Sequence, residues 1–341
     1  MHSNFFKKRK KTYLIAEIGV NHNGSIKIAK KLIRIAKKIG MDAVKFQSFD
    51  AKKLSSKKTK LTDYQKRNLS KKVSHYDMLK KLELSENDQK KLFIFCKKIK
   101  IEFISTPFDV ESAKFLNRLG VKYFKTASPD LHDVYLHGYL SKLDKNIIIS
   151  TGMSNEEEIR NCLSFYKKKN KIALLHCVSS YPCNYKSVNM KALNVIKKYS
   201  NTVGFSDHTL DNLSSIIAVS MGAKIIEKHF TLNKNMEGPD HKFSLNPKEM
   251  KIFKETIRNV ELILGDEIKK CQIEERLNKK ITIKNIIAKK NIKIGTLVKA
   301  DDFTLTRIGK GLTGFSLKNI INRYSKKEIK IGSIIKESYF R

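Results

Sequence analysis

Eight short apolar runs, each followed by an amphipathic stretch, occupy the first 265 residues and leave few folds open. The runs are rich in Ile, Val and Phe and are cut by turn residues, the signature of buried strands. They fall at 12–20 (TYLIAEIGV), 43–49 (AVKFQSF), 102–108 (EFISTPF), 122–128 (KYFKTAS), 146–152 (NIIISTG), 172–178 (IALLHCV), 202–208 (TVGFSDH) and 223–230 (AKIIEKHF). Helical patterns fill the gaps. SIKIAKKLIRIAKKIG (25–40) opens on Ser25 as an N-cap and closes on Gly40. SNEEEIRNCLSFYKKK (154–169) opens on Ser154, with acids in its first turn where the helix dipole favours them. NPKEMKIFKETIRNVELILG (246–265) follows the eighth strand. Eight strand–helix units in about 250 residues match an α/β fold of the (β/α)₈ or TIM-barrel type. A doubly wound open sheet is the alternative, but it usually has fewer strands, and no glycine-rich dinucleotide fingerprint follows the first strand.

The barrel domain is expected over 1–265. Within it, 50–85 is a long excursion after the second strand, and inserts of that length tend to be functional. Residues 266–282 read as a polar linker with a short helix. From 283 to 341, short β-type runs (IIAKKNI, DFTLTRI, SIIKES) alternate with Gly turns. This is a separate small β-rich domain, near the lower size limit for folding alone.

Charge excludes less than it first suggests. Lys and Arg number 70 against 33 Asp and Glu, a net +37. Such a balance often signals nucleic acid, but these lysines are spread over the whole chain rather than gathered in one arm. They read as solvated helix faces, and no nucleic-acid partner is expected. A basic nucleic-acid-binding protein remains the alternative from another class. No apolar run reaches the roughly 18 residues of a membrane span, and MHSNFFKKRKK lacks the apolar core of a secretory signal. A cytoplasmic protein without a membrane partner is expected. The five cysteines (96, 162, 177, 183 and 271) form no CxxC and read as reduced thiols, mostly core filler.

Catalytic groups of such barrels come from the C-terminal strand ends. These carry Glu17, then Lys45 and Gln47, Thr106, Lys125 and Ser128 followed by Asp130, Ser150, His176 followed by Ser179 and Tyr181, Ser206 and His208, and Glu227 and His229. Period-two alternation puts Lys45 with Gln47, Ser206 with His208, and Glu227 with His229 on common faces. His208 and His229 sit on adjacent strands, so their imidazoles could share Mn²⁺, Mg²⁺, Co²⁺ or Zn²⁺; satisfied core histidines are the alternative. Lys45 and Lys125, with Ser128, Ser150, Ser179 and Ser206, compose an anion pocket for a carboxylate and a phosphate. A barrel lysine also suits a Schiff-base aldolase. Asp240 and His241 lie in a turn after the eighth strand, and Arg307 sits beside glycines in the tail.

Taken together, AEIGVNHNGS (16–25), KFQSF (45–49), STPFD (105–109), STGM (150–153), LLHCVSSYP (174–182), GFSDHT (204–209), EKHFTL (227–232) and GPDHKFS (238–244) resemble the blocks of the bacterial sialic acid synthase family, in that family's order. The tail resembles its C-terminal antifreeze-like, or SAF, domain. The resemblance implies a domain-swapped homodimer in which one subunit's SAF domain caps the other's site. It implies one divalent metal, commonly Mn²⁺ or Mg²⁺, on His208 and His229. Phosphoenolpyruvate would lie against Lys45, Thr106, Lys125, Ser128, Ser150, Ser179 and Ser206. An N-acetylated amino sugar would lie near Asn23, Gln47, Tyr181, Asp240 and the partner's Arg307, with Asp130 as a further catalytic candidate. Three residues depart from the family pattern: Asn23 replaces a glutamate of some neuraminate synthases, Asp130 follows Ser-Pro where many members have Gly-Glu, and Ser179 replaces an Asn. The expected activity is N-acetylneuraminate synthesis. The alternatives are N,N'-diacetyllegionaminate synthesis and, third, pseudaminate synthesis, from which NHNGS and GPDHKFS lean away.

Overall fold

A computed structural model describes residues 10–69, 73–167 and 170–341. Most of the basic N-terminal segment, positions 70–72 of the excursion and positions 168–169 of the second helical pattern lie outside the described residues. Eight parallel strands close into a barrel in chain order: β1 (Tyr13–Gly19), β2 (Ala43–Ser48), β3 (Glu102–Pro107), β4 (Tyr123–Thr126), β5 (Asn146–Ser150), β6 (Lys171–Cys177), β7 (Val203–Asp207) and β8 (Ile225–His229). Closure is made by β8 on β1, with Glu17 opposite His229. The fold is the expected (β/α)₈ barrel, not the open sheet. The expected fourth strand is cut short because Ser128 leads into a 3₁₀ turn over Pro129–His132, and proline has no N–H to give a ladder.

Strand alternation sorts the residues into two layers. Leu14, Ala16, Val44, Phe46, Phe103, Phe124, Ile147, Leu174, Phe205 and Ile226 face the helices and join the main core. Their neighbours of opposite parity, Tyr13, Ile15, Ala43, Ile104, Tyr123, Ile148, Ala173, Leu175 and Ile225, pack together as a plug inside the barrel. Counting on by two along each strand, the same inward face becomes Glu17, Lys45, Thr106, Lys125, Ser150, Cys177, Ser206 and Glu227. The barrel is therefore filled with apolar side chains below and lined with polar ones at its C-terminal mouth.

The helices follow from their caps. Helix Ile26–Ile39 starts at Ser25, whose hydroxyl accepts from the Ile28 N–H, and stops at Gly40 in the left-handed conformation (φ 90°). Helix Glu156–Leu163 starts one residue later than expected. Asn155 and Glu158 satisfy each other's backbone N–H groups reciprocally, so Asn155 and not Ser154 is the cap. Helix Pro247–Leu264 uses the same device with Asn246 and Glu249. The excursion after β2 folds as short helices Ala51–Leu54, Asp63–Asn68 and His75–Leu82. Leu79, Leu82, Met78 and Ala51 pack with Val20 and Phe49 in a satellite cluster.

The chain divides after Gly265 into two compact units. The second holds helix Glu275–Thr282 and an antiparallel pair, β9 (Asn285–Ala288) and β10 (Phe303–Thr306). The SIIKES run contributes a single bridge, Ile334 to Ile287, rather than a strand. Ile286, Ile292, Val298, Phe303, Ile335 and Phe340 form this unit's core. Among the described residues, no helix is long and apolar enough to cross a membrane.

One position tests the packing of the plug. A Cβ on Gly204 would sit 2.4 Å from the Ile225 carbonyl oxygen and 2.5 Å from Leu175 Cδ2, so Gly204→Ala is expected to cost about 3 kcal/mol. Gly138, in helix Val134–Leu140, has open space around it, and Gly138→Ala is expected to gain about 0.5–1 kcal/mol. Urea unfolding of both variants checks the contrast.

Candidate active site

The polar mouth of the barrel encloses a cavity of about 580 Å³. Lys45, Gln47, Thr106, Lys125, Ser128, Ser150, Ser179, Tyr181, Ser206, His208, His229 and Asp240 all line it. Each strand delivers its residue at the point where the ladder ends and the loop begins. Glu17, Glu227, Cys177 and Tyr64 line it too. Glu17 and Glu227 were visible as strand-end charges but had no assigned partner. Tyr64 comes from the excursion, whose length was the only signal. Cys177 was read as core filler, yet its Sγ faces the cavity 3.0 Å from Ser128 Oγ.

Buried charge organises the floor. Lys45 Nζ lies 2.9 Å from Glu17 Oε2 and 3.8 Å from Glu227 Oε1, and donates to Thr106 Oγ1 at 3.1 Å. Lys125 Nζ donates to Ser150 Oγ at 2.5 Å and to the Thr126 carbonyl at 2.9 Å. Ser206 Oγ donates to Glu227 Oε1 at 2.9 Å. Burial alone would lower Lys45, but Glu17 and Glu227 outweigh it and hold the ammonium above its ordinary value. Burial lowers Lys125, partly offset by Glu227. Burial would raise Glu227, but Lys125 and Lys45 keep it ionised below its ordinary value. Glu17 is pushed up to about 7 by burial, with Glu227 adding to the rise and Lys45 opposing it.

The two histidines meet at the rim, ring centroids 5.7 Å apart. His208 Nδ1 lies 2.7 Å from the Val178 carbonyl, which only a protonated Nδ1 can satisfy, so Nε2 carries the free lone pair. His229 Nδ1 is buried with no hydrogen-bond partner. Burial pushes His208 down to about 4 and His229 well below its ordinary value. Both rings are therefore neutral at physiological pH, the form that ligates metals. The Tyr181 ring packs at a tilt 4.3 Å from the His208 ring, and Tyr64 at a tilt 5.0 Å from Tyr181. Among the described residues, no group of three or more His, Cys, Asp or Glu side chains is arranged to hold a metal.

Three candidates lie elsewhere. Asn23 does not reach this cavity. Its Nδ2 donates to the Glu237 carbonyl at 2.9 Å, and its Oδ1 lies 3.1 Å from His241 Nε2. With Asn21, which donates to the Phe230 carbonyl and to Ser244 Oγ, it clasps the loop after β1 to the loop after β8. The NHNGS and GPDHKFS blocks thus bind each other and hold Asp240 over the mouth. Asp130 lines a second, outer cavity of about 1670 Å³ that shares Gln47, Tyr64, Tyr181 and Asp240 with the first. Burial and neighbouring Asp133 push Asp130 up to about 7. Arg307 lies in the second unit, exposed, directly after β10.

The comparisons with known proteins agree with this geometry. Residues 32–269 match the NeuB family and residues 285–341 match the SAF domain. The chain belongs to the NeuB family. It is 43% identical to an N,N'-diacetyllegionaminic acid synthase of Campylobacter jejuni, over 96% of this chain and all of that one. It is 40% identical to a synthase of the same name from Legionella pneumophila, over 91% of this chain and 89% of that one. An N-acetylneuraminic acid synthetase of Leptospira borgpetersenii superposes with a TM-score of 0.70 at 30% identity, covering 78% of this chain and 89% of that one. The family makes this chain an enzyme, a synthase of the sialic-acid type.

Asp240 gives a pH signature. Burial lifts its carboxyl from 3.8 to about 7 against the pull of Lys45. The folded protein holds this proton more tightly than the unfolded chain does. Its stabilising effect is therefore complete below the unfolded value and is lost as pH rises towards 7. Asp240→Asn is expected to melt several degrees above the parent at pH 8, a gain that fades on acidification to pH 4. Thermal unfolding without added ligand, across that range, checks it.

Proposed function

We propose that this synthase joins phosphoenolpyruvate to the open-chain aldehyde of a 2,4-diacetamido-2,4,6-trideoxymannose and releases phosphate, forming N,N'-diacetyllegionaminate. The sequence alone favoured N-acetylneuraminate, with this product as the alternative. The order is reversed because the two diacetyllegionaminic acid synthases stand at 43% and 40% identity, against 30% for the neuraminic acid synthetase. The outer cavity agrees. Val20, Leu54, Met78, Leu79 and Leu82 give it an apolar wall, which suits a C6 methyl and a second acetyl group better than a hydroxymethyl. A single hydrophobic group of that size is worth about 10–200-fold in selectivity.

Lys45 and Lys125 would neutralise the carboxylate and phosphate, with Thr106, Ser128, Ser150, Ser179 and Ser206 donating to their oxygens. Gln47, Tyr181 and Asp240 would orient the sugar, whose far end enters the outer cavity near Asp130. The neutral, buried imidazoles of His208 and His229 fit a divalent ion such as Mn²⁺, completed by water and substrate oxygens. When bound, that ion supplies Lewis-acid polarisation of the aldehyde oxygen. Carbon 3 of phosphoenolpyruvate forms the new bond to the aldehyde carbon, water adds at carbon 2, and phosphate leaves by C–O cleavage. Glu17 and Glu227 keep Lys45 charged and aimed into the cavity while this happens. Phosphate release with a panel of N-acetylmannosamine, the diacetamido-trideoxymannose and its altrose counterpart tests the reading. Highest kcat/KM is expected with the mannose-configured diacetamido sugar, and loss of turnover on EDTA treatment or in His208→Ala. Turnover with pyruvate in place of phosphoenolpyruvate, surviving EDTA and trapped on Lys125 by borohydride, would establish a Schiff-base aldolase instead.

The SAF unit would complete the site in trans within a homodimer, through Arg307, whose planar fork suits an N-acyl carbonyl. Arg307→Ala and His208→Ala are each expected to be inactive. Mixed under subunit exchange, they are expected to regain about a quarter of wild-type turnover, from simple random-pairing statistics with one intact site per heterodimer. Mixtures that exchange yet stay inactive would place the tail's action within one chain.

A further inference from the structure

We propose that Asp207 and Lys228 are positioning residues that hold His208 and His229 at the separation a shared divalent ion requires. The inference rests on the metal reading above. Asp207 precedes His208 and Lys228 precedes His229, and the two are register partners across β7 and β8. Alternation turns them to the opposite side of the sheet from the imidazoles. There each is only 1% exposed, and Lys228 Nζ lies 3.0 Å from Asp207 Oδ2.

The pair does more than meet. Lys228 Nζ also donates to the carbonyls of Thr209 and Asp211 at 2.5 and 2.8 Å, gripping the loop that follows His208. Asp207 accepts from the Thr209 N–H at 2.8 Å, from Thr209 Oγ1 at 2.7 Å and from Ser215 Oγ at 2.5 Å. The residues on both sides of His208 are thus tied to the residue that precedes His229. On the cavity side, His208 Nδ1 bonds the Val178 carbonyl, on a different strand's loop. The Tyr181 ring also packs against both imidazoles there, with centroids 4.3 and 6.0 Å away, and Ser206 Oγ lies 3.4 Å from His208 Nε2 while donating to Glu227. The charge-assisted tie between the two strands at this level lies behind the imidazoles, in the Asp207–Lys228 pair.

A buried ion pair adds little stability over an apolar pair of the same volume, and its better-attested use is to fix a register. Here the register being fixed is the one between two metal-binding candidates. The pair stands to the imidazoles as outer-shell groups stand to metal ligands generally, where substitution weakens metal binding about 10–100-fold.

The test is Mn²⁺ binding to the full chain, measured by electron paramagnetic resonance, alongside thermal unfolding. Lys228→Met alone strands a buried carboxylate and can fail to fold, so the decisive variant is Asp207→Asn with Lys228→Met, which removes both charges. It is expected to fold and to bind Mn²⁺ about tenfold or more weakly, with turnover recovered by excess Mn²⁺. Phe253→Leu, a core change outside the Asp207–Lys228 hydrogen-bond network, is expected to lower the melting temperature without changing Mn²⁺ affinity. Should the double variant not fold, Ser215→Ala decides, with a severalfold weakening expected. A folded variant that binds Mn²⁺ like the parent overturns the proposal while leaving the metal reading intact. A parent chain that binds Mn²⁺ no better than His208→Ala overturns both.

Discussion

Burying Lys45 and Lys125 in the barrel interior is the constraint that the rest of the molecule has to satisfy. An ammonium taken out of water without partners would lose its proton or unfold its host. Lys45, on β2, is kept charged by Glu17 on β1 and Glu227 on β8. That compensation exists only because the sheet closes. In an open sheet running in the same order, β8 would lie at the far edge from β2, and Glu227 would have no lysine to answer. Closure and charge balance therefore depend on one another. The apolar plug beneath them, from Tyr13 to Ile225, excludes the water that would otherwise screen the pair.

The balance is deliberately short of neutral. Glu227 stays ionised and Glu17 is lifted to about 7, so the floor holds two basic groups against one firmly ionised carboxylate. The hydroxyls of Thr106 and Ser150 accept from the lysines, which leaves their own O–H groups free to donate. A pocket of this make-up is completed by an anion. Tyr64, Tyr181 and the imidazoles then form an aromatic rim, and the apolar excursion beyond it adds a compartment of different chemistry. Under the proposed function, the order from charged floor to apolar outer wall would give a substrate with an anionic end and an acylated, deoxygenated end a single orientation.

Much of this was legible in the sequence because a strand has a period of two. Once eight strands were placed, their C-terminal ends named Lys45, Gln47, Lys125, Ser150, Ser206, His208 and His229, parity put Lys45 with Gln47 and Ser206 with His208 on common faces, and all of them line the cavity. What was not legible came from elements without a fixed period. Tyr64 arrives on a six-residue helix whose direction depends on tertiary packing, with its ring against Tyr181 and Phe243. Asn23 sits in a motif beside the barrel mouth, and a motif does not reveal that its amide is taken up by Glu237 and His241. Cys177 has inward parity like its neighbours, but a lone cysteine in an apolar run gives no sign that Ser128 will face it. The cap of helix Glu156–Leu163 moved by one residue because two adjacent polar residues could both serve, and only the reciprocal bond with Glu158 separates them.

The segment Glu227–Lys228–His229 condenses the logic of the whole barrel. Three consecutive polar residues in a strand would ordinarily argue against burial, yet each of these is buried. The first turns inward and accepts from Ser206 while facing Lys45. The second turns outward and grips Asp207 and the loop beyond His208. The third turns inward again, one layer higher, to stand beside His208. A slip of one residue in β8 would exchange these faces, sending Glu227 into the helix layer and Lys228 into a floor that already holds two ammonium groups. Such a register is opposed from both sides of the sheet at once, by like charge within and by the stranded Asp207 behind. The residues that equip the site for chemistry are therefore also the ones that specify the alignment of the strands carrying it.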